Sequence, residues 1–208
     1  MRKLIVAEQV SLDGVIQSPG GPQEDPSGDF RLGGWVAPYA DEVIGQALQD
    51  LLSHPFELLL GRRTYEIFAA YWPRVRAGSA SHAIADLFNR VRKHVATHRS
   101  ESLDWQNSHA LEGELPDAIR ALKRQGGVNL LTWGSGDMVR QLLAAGLADE
   151  LWFLIYPVVL GRGKRLFGDD AQASAFTLAH SDRTPGGVLI TRYVRSGEVR
   201  TGTFAEVD

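Results

Sequence analysis

Glu57-Leu58-Leu59-Leu60-Gly61-Arg62-Arg63-Thr64-Tyr65-Glu66-Ile67-Phe68 reads as a short buried strand that runs through a glycine into a helix. The apolar run up to Leu60 is too brief for a helix and suits a strand covered on both faces. From Arg63 the helical segment continues to about Tyr71, and Pro73 stops it because the residue before a proline is pushed out of helical geometry. Strand, glycine turn, helix is the unit from which parallel sheets are assembled.

The same unit recurs on both sides. Upstream, residues 3 to 10 are rich in Leu, Ile and Val and read as a central strand. Residues 17 to 34 then gather Pro19, Gly20, Gly21, Pro22, Pro26, Gly28, Gly33 and Gly34, a density that no helix or strand interior tolerates, so a long functional loop is expected. Apolar residues spaced three and four apart predict a helix over 36 to 52, with Pro38 in its first turn. Downstream, helices are expected at 81–91, 115–124 and 135–145, the last stopped by Gly146, with strands at 93–97 and 128–133. The final third turns strand-rich, at 150–159, 175–180 and 187–195. Residues 1–208 therefore read as one α/β domain, a largely parallel sheet with antiparallel C-terminal edge strands.

Composition narrows the chemistry. The formal net charge is −3, so no global basic field draws the chain to nucleic acid or to acidic membranes. There are no cysteines, which removes disulfides, thiolate metal sites and thiol nucleophiles and fits a reducing compartment. The apolar segment Leu4–Ala7 is too short for a signal peptide or a membrane span, and a cytoplasmic protein is expected.

Three glycine turns follow expected strands: Gly61-Arg62-Arg63-Thr64, Gly134-Ser135-Gly136-Asp137 and Gly161-Arg162-Gly163-Lys164-Arg165. In an open α/β sheet such turns meet helix N-termini, whose unpaired N–H groups and dipole favour phosphate. A phosphorylated cofactor fits that geometry. Small residues at Gly134, Ser135 and Gly136 let amides approach a pyrophosphate, while Arg62 and Arg99 can grip an adenosine 2′-phosphate, which favours NADPH over NADH. The plainer role for each glycine is to close a tight turn. Val139 and Leu166 occupy the sixth positions of the two later turns, so neither is a dinucleotide-binding fingerprint, and no Walker A sequence occurs.

Two carboxylates are candidate proton donors. Asp13 lies in the turn after the first strand, where it either serves a substrate or makes the turn with Gly14. Asp41, with Glu42, lies where a helix should border the pocket, and its plainer role is to match the helix dipole. Trp35, Tyr39 and Trp72 are candidate stacking partners for a flat heterocycle or, more simply, core packing. The six histidines show no zinc-helix spacing, and no metal is expected.

The order of these pieces resembles the dihydrofolate-reductase superfamily. The carriers are Val10-Ser11-Leu12-Asp13-Gly14-Val15-Ile16, Leu59-Leu60-Gly61-Arg62-Arg63-Thr64 and Trp133-Gly134-Ser135-Gly136, over roughly residues 3 to 195. Gly146-Leu147-Ala148-Asp149-Glu150-Leu151 and Pro157-Val158-Val159-Leu160-Gly161-Arg162-Gly163 are similar to the reductase half of riboflavin deaminase-reductases. The resemblance implies a three-layer αβα sandwich, a homodimer, and NADPH held by Gly61, Arg62, Thr64, Gly134, Ser135, Gly136 and Asp137. Thr97, His98 and Arg99 would lie by the adenosine phosphate, and the glycine-rich loop would close over the nicotinamide. The substrate implied is a planar nitrogen heterocycle. Where riboflavin reductases carry an acid before the later glycine turn, this chain has Thr132 and Trp133. A pterin or folate-type reductase, or a non-catalytic nucleotide- or ligand-binding module on the same fold, are the alternatives. Part of the apolar run Leu151–Leu160, which carries Trp152, Phe153 and Tyr156, is the candidate dimer surface, the alternative being a strand buried within the same subunit.

Overall fold

The computed structural model describes residues 1–99, 102–168 and 171–204. Its strands are β1 (Leu4–Ser11), β2 (Phe56–Gly61), β3 (Lys93–Ala96), β4 (Ser108–Ala110), β5 (Asn129–Trp133), β6 (Glu150–Tyr156), β7 (Ala175–Arg183) and β8 (Leu189–Gly197). They form one sheet in the order β4-β3-β2-β5-β1-β6-β8-β7. Every pairing from β4 to β6 is parallel, whereas β8 runs antiparallel to both β6 and β7.

Helices lie on both faces, and the strand order says why. The path from β1 to β3 moves one way across the sheet through α1 (Glu42–Leu52), α2 (Arg62–Tyr71) and α3 (His82–Arg90). From β4 it returns through α4 (Leu115–Arg124) to β5 and through α5 (Gly136–Ala144) to β6. Parallel crossovers are right-handed, so reversing direction puts the later helices on the opposite face. The cores agree. Ile44, Leu52, Tyr65 and Phe88 pack with Ala7, Leu58, Leu60 and Leu131 on one side. Ile119, Val139 and Leu142 pack with Leu4, Val6, Leu59 and Leu130 on the other. Strand β5 is consequently flanked by β2 and β1, whose following helices lie across the sheet from α5. Crevices at such reversals are where open α/β sheets take ligands.

Four expectations need correction. The helix expected from residue 36 begins at Glu42: Ala37–Tyr39 is an isolated 3-10 turn, Ala40 is extended, and Asp41 caps α1 by accepting from the Ile44 amide at 2.8 Å. The short β4 was not anticipated, because Ser-His-Ala carries no apolar period. β6 ends at Tyr156, before Pro157, rather than at residue 159. The apolar run of β6 is also no outer surface, since it pairs with β1 on one side and β8 on the other and buries Trp152, Phe153 and Tyr156 inside the subunit. Among the described residues no helix is long and apolar enough to cross a membrane.

Candidate cofactor and substrate site

At the carboxyl ends of β2 and β5 the two glycine turns are laced together. The Gly61 amide donates to Ser135 Oγ and the Ser135 amide to Thr64 Oγ1, each at 2.9 Å. Gly134 has φ +67°, and a Cβ there would stand 3.2 Å from Thr64 Oγ1 and Cγ2. Both the backbone sign and the close approach call for glycine. The lacing corrects one expectation: the Ser135 amide is used within the protein. The amides left for an anion are those of the first turn of α5, Gly136 to Met138, which a helix leaves without internal partners. Asp137 in that turn is tied to Arg140.

Outward from this junction stand the two arginines. Arg62 Nε and Arg99 Nη1 both donate to Glu66 Oε1, at 2.8 and 2.9 Å. One carboxylate thus gathers two guanidinium groups drawn from different elements, and an added phosphate would find both. The Thr97 hydroxyl accepts from the Arg99 amide at 3.0 Å, which shapes the turn after β3, and His98 is exposed beside it. Sequence reading missed Glu66, although its position four residues after Arg62 on a helix is a legible ion-pair spacing.

The glycine-rich loop is an ordered structure with its own clip. Asp25, buried, accepts from Ser27 and from Lys164 Nζ at 2.7 Å, and also from Arg63. Burial alone would raise its pKa, but Lys164 and Ser27 outweigh this and hold it below the usual carboxylate range. The clip thereby joins the loop to the first turn of α2 and to the third glycine turn. The local Asp25–Ser27 turn gives no sign of the clip, because the two cations that complete it are 38 and 139 residues away.

Asp13 is placed as an anchor, which corrects its expected role as proton donor. Its carboxylate accepts from Ser11 Oγ at 2.6 Å and from the Leu160 and Gly161 amides at 3.0 and 2.8 Å. Burial raises its pKa, yet these donors win and hold it at about 2. A group that is ionised at neutral pH and whose lone pairs are engaged makes a poor general acid. Trp35 is likewise structural: it is 7% exposed, its Nε1 donates to Gln17 O at 2.8 Å, and its ring meets Tyr156 edge-on. Trp72 packs on Phe68 and Phe88 in the helical layer. Tyr39, half-buried, does reach the same end of β6, 5.7 Å from the Tyr156 ring. The Tyr156 phenol is pushed up by burial and then by the charge of nearby Asp41. Asp41 itself is committed through Oδ1 to capping α1. Gln9 completes the cluster, 3.5 Å from the Tyr156 hydroxyl. Of the histidines, buried His94 hydrogen-bonds the Glu57 carboxylate at 2.7 Å, and burial holds its pKa below the usual imidazole range, so a structural contact accounts for it.

A sequence profile for the RibD C-terminal domain matches residues 2–190. The uncharacterized protein YyaP of Bacillus subtilis strain 168 is 24% identical over 196 residues, covering 94% of this chain and 96% of its own. Solved structures with the same fold include a candidate riboflavin biosynthesis protein of Shewanella sp. PV-4, at 20% identity and TM-score 0.62, covering 93% of this chain and 99% of that one. A pyrimidine reductase-like protein of Corynebacterium diphtheriae has 16% identity and TM-score 0.58 over 95% and 93% of the two chains. The diaminohydroxyphosphoribosylaminopyrimidine deaminase/5-amino-6-(5-phosphoribosylamino)uracil reductase of Thermotoga maritima has 14% identity and TM-score 0.60 over 94% of this chain and 57% of that one.

Proposed function

Because the chain belongs to the RibD C-terminal domain family, we propose that it is a reductase that uses NADPH to reduce a planar nitrogen heterocycle. The observation that carries this reading is the Arg62–Glu66–Arg99 cluster beside the laced turns at the reversal of the sheet. Its chemistry fits the cofactor: two planar cations suit a 2′-phosphate, and open amides at the start of α5 suit a diphosphate. When bound, NADPH supplies the hydride. The chain's own part is to hold and orient. Arg62 and Arg99 would bind the 2′-phosphate, the first-turn amides of α5 would meet the diphosphate, and the loop clipped by Asp25 excludes water from the reaction. Tyr39, Tyr156 and Gln9 would border the heterocycle, with the charge of Asp41 felt at Tyr156.

Titration with NADPH and NADH tests the reading. NADPH should bind more tightly, and Arg62→Ala should weaken it by about 1.5–3 kcal/mol, the range for a hydrogen bond to a charged group, and NADH much less. Equal affinities, or equal losses, would dismantle the adenosine pocket as described. A second reading, a ligand-binding module without turnover, is favoured by one observation: both expected proton donors, Asp13 and Asp41, spend carboxylate oxygens on backbone amides. NADPH binding without oxidation across uracil-like and pterin-like substrates would select it.

A further inference from the structure

Strand β1 carries one acid in its buried middle. Glu8 is 2% exposed and lies on the face covered by α5, with Val6 and Val10 before and after it at the same pleat. The Gly134 amide is directed at its carboxyl, while its Oε1 has no hydrogen-bond partner. On the neighbouring strand the Thr132 hydroxyl, fully buried, has none either. These groups stand at the crevice between β1 and β5, under the turn that leads into α5. The other charge felt by Glu8 is that of Glu24 in the glycine-rich loop, whose own carboxylate accepts from the Gly20 amide at 2.7 Å. Ile16 closes the same place by packing against Gly136.

A carboxyl kept only for packing or strand register would have both oxygens satisfied, since each orphaned polar atom costs on the order of 1–3 kcal/mol. A phosphate does not suit a spot where two carboxyls converge. A divalent cation would need further ligands, and among the described residues no third His, Asp or Glu joins the pair. What does suit it is a neutral, planar group with both a donor and an acceptor. Burial pushes Glu8 well above the usual carboxylate range, toward the neutral form that can donate as well as accept.

We propose that Glu8 is a ligand-contacting residue whose carboxyl pairs with a planar N–H–C=O edge, admitted when Ile16 and the loop that follows it move aside. The inference rests on the reductase reading for its two sources of such an edge, the nicotinamide carboxamide and a ring amide of the heterocycle.

Calorimetric titration of the full chain separates the possibilities, using NADPH, adenosine 2′,5′-bisphosphate, which lacks nicotinamide, and uracil and pterin as heterocycle probes. If the carboxamide is the source, Glu8→Ala weakens NADPH by about tenfold or more and leaves the bisphosphate unchanged, while Glu8→Gln, which keeps a donor and an acceptor, loses less than about threefold. If the heterocycle is the source, NADPH is unaffected and the probes, added to NADP⁺-saturated protein, lose binding in Glu8→Ala. Thermal melts of the isosteric Gln variant control for folding. Unchanged binding of NADPH and of every probe in Glu8→Ala overturns the proposal. Wild-type protein that binds neither NADPH nor the bisphosphate removes the reductase reading; the proposal then stands only if a probe binds in a Glu8-dependent way, and falls with it if none does.

Discussion

At the scale of single residues, the molecule uses its acids in ways that residue type alone does not announce. Asp13 was the natural candidate for proton donation, yet the Ser11 hydroxyl, two backbone amides and the Arg165 guanidinium converge on it, and it ties the end of β1 to the Leu160–Gly161 turn. Asp13→Asn should therefore cost about 1.5–3 kcal/mol of stability at neutral pH, as loss of charge-assisted hydrogen bonds does. The sign in acid follows from the depressed pKa of about 2. The stabilisation is complete above the unfolded carboxylate's range and disappears as pH falls through the folded value. Urea melts from pH 6 down to 3 should show the gap between wild type and variant constant at first and narrowing below about pH 4. A gap that widens in acid would mean that the carboxylate is not what the amides hold. Glu66 makes the complementary case, since it neutralises Arg62 and Arg99 when no phosphate does so. Glu66→Gln should raise NADPH affinity by about threefold, the scale of exposed ion pairs, without changing NADH. Weaker NADPH binding would instead show that Glu66 positions the arginines.

At the scale of elements, the loop between β1 and α1 is tied to the rest of the molecule by a charged clip at Asp25. Asp25 joins it to Arg63 on α2 and to Lys164, and Gln17 adds donors to the Asp25 and Ser27 carbonyls at 2.9 Å. Asp25→Asn keeps the shape and removes the charge that both cations need. Limited proteolysis should then cut between residues 17 and 34 at least several-fold faster, while the melting of the sheet changes little, because loop opening and global unfolding are separate events. Equal cutting rates would show that the glycine-rich loop is held by its packing alone. The lacing of β2–α2 to β5–α5 belongs to this scale too: Thr64, Ser135 and Gly134 fix the crevice width before any ligand arrives.

At the scale of the whole molecule, the sheet is covered by helices only as far as β6. Beyond it, on the α5 side, Phe167 and Leu178 are 47% and 49% exposed, and Tyr193 lies opposite Leu178 on β8. The homodimer expected from the resemblance, displaced from β6 by that strand's burial, is proposed to use this face. Sedimentation at micromolar concentration should give a dimer, and Leu178→Glu a monomer with the fold intact. A wild-type monomer rejects the pairing, and a dimer indifferent to Leu178→Glu moves it elsewhere.

Apart from β4 and the start of α1, the elements and their order are written in local sequence. Leu58-Leu59-Leu60 before Gly61, Pro73 after Tyr71 and Gly146 after Ala145 act locally, through backbone geometry and burial period, so strands, turns and stops were legible to within a few residues. Gly61, Arg62, Thr64, Arg99 and Gly134 were legible as neighbours for the same reason: parallel strands bring the turns at their carboxyl ends together. What each side chain touches was decided only by tertiary structure. The Asp13 anchor spans 147 residues to Leu160, and Asp25 reaches Lys164 across 139. Glu8 sits buried against Gly134 because β1 happens to lie beside β5. A carboxyl's charge, exposure and partners depend on distances through space that local periodicity does not encode, so the same residue type became an anchor at 13, a clip at 25 and an unsatisfied buried acid at 8.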